Sequence, residues 1–424
     1  MDRLVAAMTL EEKIGQLTML SADLAVTGPR VSADYMEEIR AGRCGSLLNL
    51  WGAEATRAVQ RAAVEETRLG VPLLFGFDVV HGHRTIFPVP LGEAAAFDPE
   101  LWRRTARAAA AEAAADGVDL VFAPMLDVAR DPRWGRMVEG PGEDPLVGAR
   151  LAAAKVRGFQ GEDLAAADSV AATAKHFVAY GAVTAGRDYA SVEISGRALH
   201  EVYLPPFAAA VAADAAAVMP GFVDLAGVPA SADAPLLRGL LRGRWGFAGV
   251  LISDYNAIAE LMAHGVAGDL AEAAALALKA GVDIDMVAQA YRRGLPEALA
   301  RGLVAEGEID AAVRRVLALK ARLGLFEDPY RRGAAGLDPA ARAAHRALAR
   351  EAARRAIVLL CNRGGILPLK PETRRLAVLG PLADAPVDML GPWAGAAGPG
   401  GGGVTFLEGL RAALPGTEIR HAAG

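Results

Sequence analysis

The sequence predicts an α/β fold, a (β/α)8 TIM-like barrel followed by the beginning of an incomplete α/β sandwich domain. One pattern recurs: an amphipathic helix, a glycine, and a short apolar strand that ends in polar residues, as at 54–78, 101–124 and 269–286. Strands separated by helices of this length form right-handed βαβ units and a parallel sheet. Because polar residues end nearly every strand, a closed barrel is favoured over the alternative, an open doubly wound sheet with one ligand site.

Local signals place the individual elements. Thr9 and Glu12 have the spacing of a capping box and open the first helix. Asp98 followed by Pro99 is typical of a helix N-terminus, and a glycine follows several helices as the closing residue. The apolar runs that predict strands lie near 45–49, 73–78, 119–124, 170–174, 215–219, 249–253 and 282–286.

The composition divides the chain into three parts: residues 1–328 as the barrel, 329–345 as a linker, and 346–424 as the start of the truncated second domain. A long helix near 339–356 is predicted to precede strands at 357–360 and 376–379. The rest includes a flexible, glycine-rich tract at 391–403 and is marginal for an independent core. We therefore expect the second domain to be incomplete.

Composition and charge exclude several functions. A net charge of −5 gives no basic surface for nucleic acid, and the arginines at 342–355 have the spacing of a solvated helix face. The sequence contains no run of about 18 uncharged apolar residues, so we expect no membrane span. Cys44 and Cys361 are far apart and lie next to apolar residues, which predicts buried free thiols.

The sequence also bears on localisation and cofactors. The N-terminus lacks the charged and then apolar pattern of a signal peptide. We expect a cytoplasmic protein, or a periplasmic or secreted one if an export signal has been removed. No cluster of His, Cys and Asp has metal-ligand spacing, and no phosphate loop or Gly-x-Ser-x-Gly motif is present. We therefore expect neither a metal nor a cofactor.

Side chains that suit a sugar follow several of the predicted strands. Carboxylates and cations form charge-assisted hydrogen bonds to several hydroxyls at once. Groups of both kinds occur here. The carboxylates are Asp78 and Asp254, and the basic side chains are Arg84, Arg136, Lys175 and His176. A strand-terminal aspartate alone is often the N-cap of the next helix, so the indication lies in the joint pattern. Trp51 and Trp134 could offer apolar faces to a sugar ring, although a core role suits each equally well.

With these residues the chain resembles glycoside hydrolase family 3, in particular its bacterial periplasmic-type β-glucosidases. The similarity runs from residue 8 to the end, and the motifs follow in the family's order. The matching segments are 8–17, 76–82 with 84–88, 130–136 with 139–140 and 142–145, 175–181, and 244–254.

The resemblance implies a role for each matching residue. Asp254 matches the nucleophile that forms the covalent glycosyl-enzyme, and Asp78 matches the carboxylate that binds two hydroxyls of the sugar in the −1 subsite. Glu139, Glu143 and Asp144 match a motif that we interpret as an anchor of its loop. The other sugar-binding positions of the family correspond to Arg84, Arg136, Lys175, His176 and Arg187. Cations near Asp254, from Lys175 and Arg136, would keep it ionised.

The resemblance therefore implies a retaining β-glucosidase that hydrolyses terminal non-reducing β-D-glucosyl residues by double displacement. Its substrate would be an oligosaccharide or a β-glucoside. We expect no nucleic-acid or membrane partner, and the sequence is compatible with a homodimer. The family takes its acid/base glutamate from the second domain. No residue of this chain matches that glutamate, so we expect it beyond residue 424.

Three alternatives stay open. One is a β-xylosidase of the same family, because residues 218–223 stand where many relatives have a tyrosine and an asparagine, which leaves the sugar preference undecided. A second is an N-acetylglucosaminidase, although that group uses a His-Asp pair after the Lys-His motif and residues 181–189 contain no histidine. The third is a truncated chain that binds sugar without full activity.

Overall fold

The computed structural model describes residues 1–22, 34–334, 336–397 and 403–424. In chain order its strands are β1 (Thr18–Ser21), β2 (Ser46–Leu48), β3 (Leu74–Phe77), β4 (Leu120–Val121), β5 (Ala171–Phe177), β6 (Ala217–Pro220), β7 (Asp224–Leu225), β8 (Val228–Pro229), β9 (Val250–Leu251), β10 (Asp285–Met286), β11 (Arg375–Leu379) and β12 (Glu418–Ala422). Eight of them form one curled parallel sheet in the order β10-β1-β2-β3-β4-β5-β6-β9.

Helices alternate with these strands. They are α1 (Asp2–Ala7), α2 (Leu10–Gln16), α3 (Tyr35–Arg40), α4 (Ala53–Glu65), α5 (Pro90–Ala94), α6 (Pro99–Ala115), α7 (Pro145–Gln160), α8 (Gly196–Ala198), α9 (Pro205–Ala212), α10 (Ala257–Ala263), α11 (Leu270–Ala280), α12 (Ala290–Ala300), α13 (Glu306–Arg322), α14 (Pro339–Ala356) and α15 (Phe406–Ala413). Two π-helical segments lie at Leu199–Tyr203 and Pro235–Arg244. None of the helices in the described ranges is long and apolar enough to cross a membrane.

Hydrogen bonds also join the two outer strands of the sheet. The Ser253 amide donates to the Ile284 carbonyl at 2.9 Å, and the Asp283 amide donates to the Leu251 carbonyl at 2.7 Å, so β9 and β10 are connected. All eight strands are parallel, and their carboxyl ends therefore meet at one edge. The loops that follow the strands at this edge carry most of the predicted site residues.

The parallel α/β fold is confirmed, and all seven predicted strands of the sheet are present. β1 was not predicted from the sequence. This four-residue strand follows α2 after a single residue, so it lacks the preceding glycine that marked β3, β4 and β10. The hairpin of β7 and β8, whose strands are only two residues long, was not predicted either.

Close packing of small side chains explains why alanine dominates the helices. Five alanines of α6 are buried: Ala108, Ala109, Ala110, Ala113 and Ala114. On α7, a Cβ atom added at Gly158 would lie 2.5 Å from the Arg103 carbonyl oxygen and 2.6 Å from Ala106 Cβ. The two helices therefore approach each other more closely than larger side chains would permit.

After the sheet, β11, β12 and α15 share a small cluster of buried apolar side chains, whereas α14 packs on the main core through Leu348 and Ala352. The predicted helix is confirmed as α14, and the predicted strand at 376–379 is confirmed as β11, which pairs in parallel with β12. The strand predicted at 357–360 is wrong: in the described chain this exposed segment has no strand neighbour to pair with. Cys361, which follows it, is exposed rather than buried, whereas Cys44 is buried; both thiols are free. Part of the glycine-rich tract, 398–402, lies outside the described residues.

Arg332 ties the beginning of the predicted linker to the sheet. It is only 7% exposed, and its guanidinium lies 3.2 Å from Asp119 Oδ1 just before β4. It also donates to the backbone carbonyls of Ser169 at 2.8 Å, Leu164 at 2.9 Å and Leu323 at 3.2 Å. This side chain therefore satisfies three loop carbonyls and one buried carboxylate at once.

Replacing Arg332 with Met should lower the free energy of unfolding by about 3–5 kcal/mol, because it leaves the buried Asp119 carboxylate without its cation. Urea-induced unfolding of the two proteins measures the difference. The matched control is Arg346→Met on the exposed side of α14, where we expect a change below about 0.5 kcal/mol. Equal stability of the Arg332 and Arg346 variants would contradict the anchoring role.

Candidate active site

A cavity of about 580 Å³ opens at the edge where the parallel strands end. Apolar side chains at the ends of β2, β6 and β10 form part of its wall, namely Leu48, Met219 and Met286. The structure brings five predicted site residues together around this cavity: Asp78, Arg136, Lys175, His176 and Asp254. Within the described residues no group of three or more His, Cys, Asp or Glu side chains could hold a metal ion.

Asp254 lies in the loop that follows β9 and is 7% exposed. Its Oδ1 accepts a hydrogen bond of 2.7 Å from the Tyr255 amide. Its Oδ2 has no hydrogen-bond partner among the described residues and lies 3.5 Å from His176 Nε2. Burial raises the pKa of Asp254 to about 6, although the charges of Arg136 and Lys175 act in the opposite direction. Asp254 is therefore mostly ionised at neutral pH. The effect of burial on its pKa is nevertheless larger than the effect of the two cations.

His176 has a fixed orientation and tautomer. Its Nδ1 lies 2.8 Å from Asp127 Oδ2, which also accepts from the His176 amide at 3.1 Å. Arg136 Nη2 lies 3.2 Å from the other ring nitrogen, and because an arginine can only donate, Nε2 is the acceptor and Nδ1 carries the proton. Burial, together with the charges of Arg136 and Lys175, lowers the pKa of His176 well below its usual value, so the ring is neutral.

Lys175 and Asp78 form an ion pair on the cavity wall. Lys175 Nζ lies 2.6 Å from Asp78 Oδ1, and Lys175 is only 3% exposed. Lys175 lies on β5 and Asp78 directly follows β3, so the pair spans the sheet edge above β4. Both groups keep further hydrogen-bonding capacity, because a lysine has three donors and a carboxylate has two acceptor oxygens.

Glu139 orients Arg136 through two hydrogen bonds. Arg136 Nε lies 2.9 Å from Glu139 Oε1, and Nη2 lies 3.0 Å from Oε2, in the bidentate geometry that arginine favours with carboxylates. Asp144, in the same loop, caps α7 by accepting from the amides of Leu146 and Val147 at 2.7 and 3.0 Å. These two acidic residues thus hold the loop that carries Arg136.

The two other predicted arginines do not line the cavity. Arg84 Nε lies 2.6 Å from Asp116 Oδ2, and its Nη1 donates to the Ala396 carbonyl at 3.1 Å. Arg187 is exposed on the loop that follows β5. Arg84 therefore binds Asp116 and the backbone of Ala396 without lining the cavity, and Arg187 does not line the cavity either.

The two tryptophans considered as sugar-contacting groups lie elsewhere. Trp134 is 1% exposed, and its indole N–H donates to Asp188 Oδ1 at 2.9 Å. Trp51 packs on Phe77 with ring centroids 4.9 Å apart. Both therefore have core roles.

Several residues that line or support the cavity were not found from the sequence. Asp127 lies in the apolar stretch that follows β4, and an acid among apolar residues is the signal that could have indicated it. Tyr189 and Phe222 line one wall with ring centroids 4.7 Å apart. Glu260 and Trp393 also line the cavity. Trp393 comes from the distant glycine-rich tract, and no sequence pattern pointed from there to the site.

The arrangement suits a neutral, polyhydroxylated ligand that is attacked by a carboxylate. A lysine, an arginine and a neutral histidine can donate to hydroxyl oxygens, and Asp78 can accept from hydroxyls. Asp254 presents a carboxylate oxygen without a hydrogen-bond donor in the described chain, which leaves that oxygen able to act as a nucleophile or a base.

Replacing Asp254 with Asn should stabilise the protein by about 3 kcal/mol at pH 7, because the folded-state pKa of about 6 exceeds the ordinary aspartate value. A raised folded pKa means that ionisation costs stability as pH rises through about 4 to 6. The gain from the substitution should therefore become small near pH 4. Urea unfolding at both pH values measures it, and a loss of stability at pH 7 would contradict the dominance of burial.

Known proteins are similar to this chain in fold and in sequence. The glycosyl hydrolase family 3 N-terminal domain matches residues 9–319. A periplasmic β-glucosidase from Salmonella typhimurium is 42% identical over 428 residues, covering 99% of this chain and 55% of that protein. A β-xylosidase from Formosa agariphila is 37% identical over 338 residues, covering 74% of this chain and 47% of that protein.

A crystal structure of a β-glucosidase from Listeria innocua in complex with isofagomine superposes with a TM-score of 0.92 at 41% identity. The superposition covers 99% of this chain and 59% of that one. The chain thus spans about half the length of the curated relatives it matches. The extent of these matches, together with the cavity at the strand ends, establishes that the chain belongs to glycosyl hydrolase family 3.

Proposed function

We propose that the protein is a retaining β-glucosidase, which hydrolyses terminal non-reducing β-D-glucosyl residues through a covalent intermediate on Asp254. The observation that carries the proposal is the ionised Asp254 carboxylate, whose Oδ2 lacks a hydrogen-bond partner in the described chain and which lines the cavity with Arg136 and Lys175. The 42% identical periplasmic β-glucosidase supports the choice of sugar.

In the first step, Asp254 Oδ2 bonds to the anomeric carbon while the bond from that carbon to the leaving oxygen breaks. The Asp78–Lys175 pair, His176 and Arg136 bind the hydroxyls of the sugar. A carboxylic acid must protonate the leaving oxygen, and in the second step the same group takes a proton from the water that releases the sugar. The substrate is an oligosaccharide or another β-glucoside.

We place the acid/base glutamate outside these 424 residues, in the rest of a second domain that begins within residues 346–424 after the linker 329–345. The coverage of 55% of the Salmonella relative supports this. Exposed apolar side chains also support it, because such side chains are typical of a surface that further protein covers. Ile357 is 77% exposed, Leu360 90% and Leu379 77%. In this proposal the curled sheet is the family's catalytic (β/α)8 barrel, residues 1–328.

Glu260 is the rival acid within the chain. It lines the cavity on α10, and burial raises its pKa, as a general acid requires. Its side chain forms a hydrogen bond with Asn256, however, which lowers its pKa and so acts against the effect of burial. Among the other cavity carboxyls, Asp78 is paired with Lys175 and Glu139 with Arg136.

A β-xylosidase is the second candidate, favoured by the 37% identical enzyme from Formosa agariphila. The apolar residues Met219 and Phe222 line the cavity where the sequence departs from many relatives. They do not favour either sugar, so the preference must be measured. Comparing kcat/KM for nitrophenyl β-glucoside and nitrophenyl β-xyloside decides between them.

Replacing Asp254 with Ala should lower kcat/KM for 2,4-dinitrophenyl β-glucoside by about 10⁴-fold or more, because it removes the nucleophile. Dinitrophenolate leaves without protonation, so this substrate tests the chain even when the acid lies outside it. The control Asp2→Ala, at a side chain 84% exposed, should retain the wild-type value.

Turnover by Asp254→Ala at the wild-type rate would contradict the proposal. The companion variant Glu260→Gln addresses the rival acid. It should leave the ratio of nitrophenyl to dinitrophenyl β-glucoside turnover unchanged, whereas a selective loss with the poorer leaving group would assign the acid to Glu260.

A further inference from the structure

The loop that follows β3 contacts a segment far along the chain. His81 and Arg84 of this loop hydrogen-bond to the backbone of residues 392 and 396, which lie 311 and 312 positions away. We call residues 391–397 the wall segment, because Pro392, Trp393 and Ala394 line the cavity. The same loop begins with Asp78, so it both lines the cavity and contacts the wall segment.

His81 forms the central attachment. It is 2% exposed, and its Nδ1 lies 2.8 Å from the Phe87 carbonyl oxygen in its own loop. Its Nε2 hydrogen-bonds to the carbonyl of Pro392. A Cβ atom added at Gly391 would lie 3.5 Å from the His81 ring and 3.3 Å from Val89, so the wall segment also packs against this loop.

Arg84 forms the second attachment. Its guanidinium bridges Asp116 Oδ2, at 2.6 Å, and the carbonyl of Ala396, at 3.1 Å. Ala396 is itself only 2% exposed. The wall segment is therefore held on both sides of Trp393, at positions 392 and 396.

Trp393 lies over the ion pair that the proposed mechanism uses to bind hydroxyls. Its ring centroid is 5.1 Å from Lys175 Nζ, within the range of a cation–π contact. Lys175 is in turn 2.6 Å from Asp78. Covering these charges with an indole excludes water from them, and hydrogen bonds to charged groups become stronger where water is excluded.

We propose that Trp393 is a substrate-contacting residue that sets affinity for the sugar, and that His81 is a positioning residue that holds it there through the carbonyl of Pro392. This inference rests on the proposed function. It assigns one wall of the sugar site to a segment outside the sheet and gives a role to His81, which is buried but does not line the cavity.

The test is the kinetics of covalent labelling by 2,4-dinitrophenyl 2-deoxy-2-fluoro-β-glucoside, a reagent that needs no acid. Trp393→Ala and His81→Phe should each raise the concentration for half-maximal labelling about 2- to 30-fold, the range of a lost cation–π contact. The double variant should match Trp393→Ala alone, because both changes act through the same group. The exposed control His200→Phe should match the wild type.

Additive effects of the two substitutions would overturn the positioning role of His81. Wild-type labelling of Trp393→Ala would overturn the whole inference. If His81→Phe fails to fold, His81→Gln, which keeps an N–H donor, replaces it and should label more tightly than Trp393→Ala. If the wild-type chain itself is not labelled, the proposed function fails, which is a different result from equal labelling of all variants.

Discussion

Burial of charge at the carboxyl edge of the sheet is the constraint on which the site depends. Eight parallel strands end at one edge, where strand ends and the loops that follow them bring Asp78, Lys175, His176 and Asp254 into a cavity with little exposure to water. Charged groups in such a place must be paired or hydrogen-bonded. Lys175 is paired with Asp78, and Arg136 with Glu139. Asp254 differs, because its Oδ2 has no hydrogen-bond donor in the described chain.

The neighbouring groups also leave the charge of Asp254 without a direct partner. Asp127 fixes the proton of His176 on Nδ1, and the pKa of the ring is lowered, so His176 contributes no positive charge beside Asp254. Arg136 and Lys175 act on Asp254 through their charges, yet burial still raises its pKa to about 6. The carboxylate is therefore ionised at neutral pH but poorly stabilised. A group in that state gains most when it forms a covalent bond to an electrophilic carbon.

Much of the fold and part of the site could be predicted from the sequence. Apolar runs, three of them preceded by a helix and a glycine, located seven of the eight strands, because these are local signals. β1 lacked that signal, and the segment at 357–360 had the composition of a strand without a partner to pair with. Five site residues were predicted correctly as neighbours, because parallel strand ends converge. Arg84 could not be separated from them, since its turn toward Asp116 depends on tertiary contacts. Trp393 could not be found at all, because only the folded chain brings the glycine-rich tract to the cavity.

The most direct test of the central claim is peptide mapping of the chain after labelling with the 2-fluoro glucoside. We expect one added 2-fluoroglucosyl group per chain, carried by the peptide that contains Asp254 and located on that residue by fragmentation. A label on another residue, such as Glu260 or Asp78, would contradict the assignment of the nucleophile.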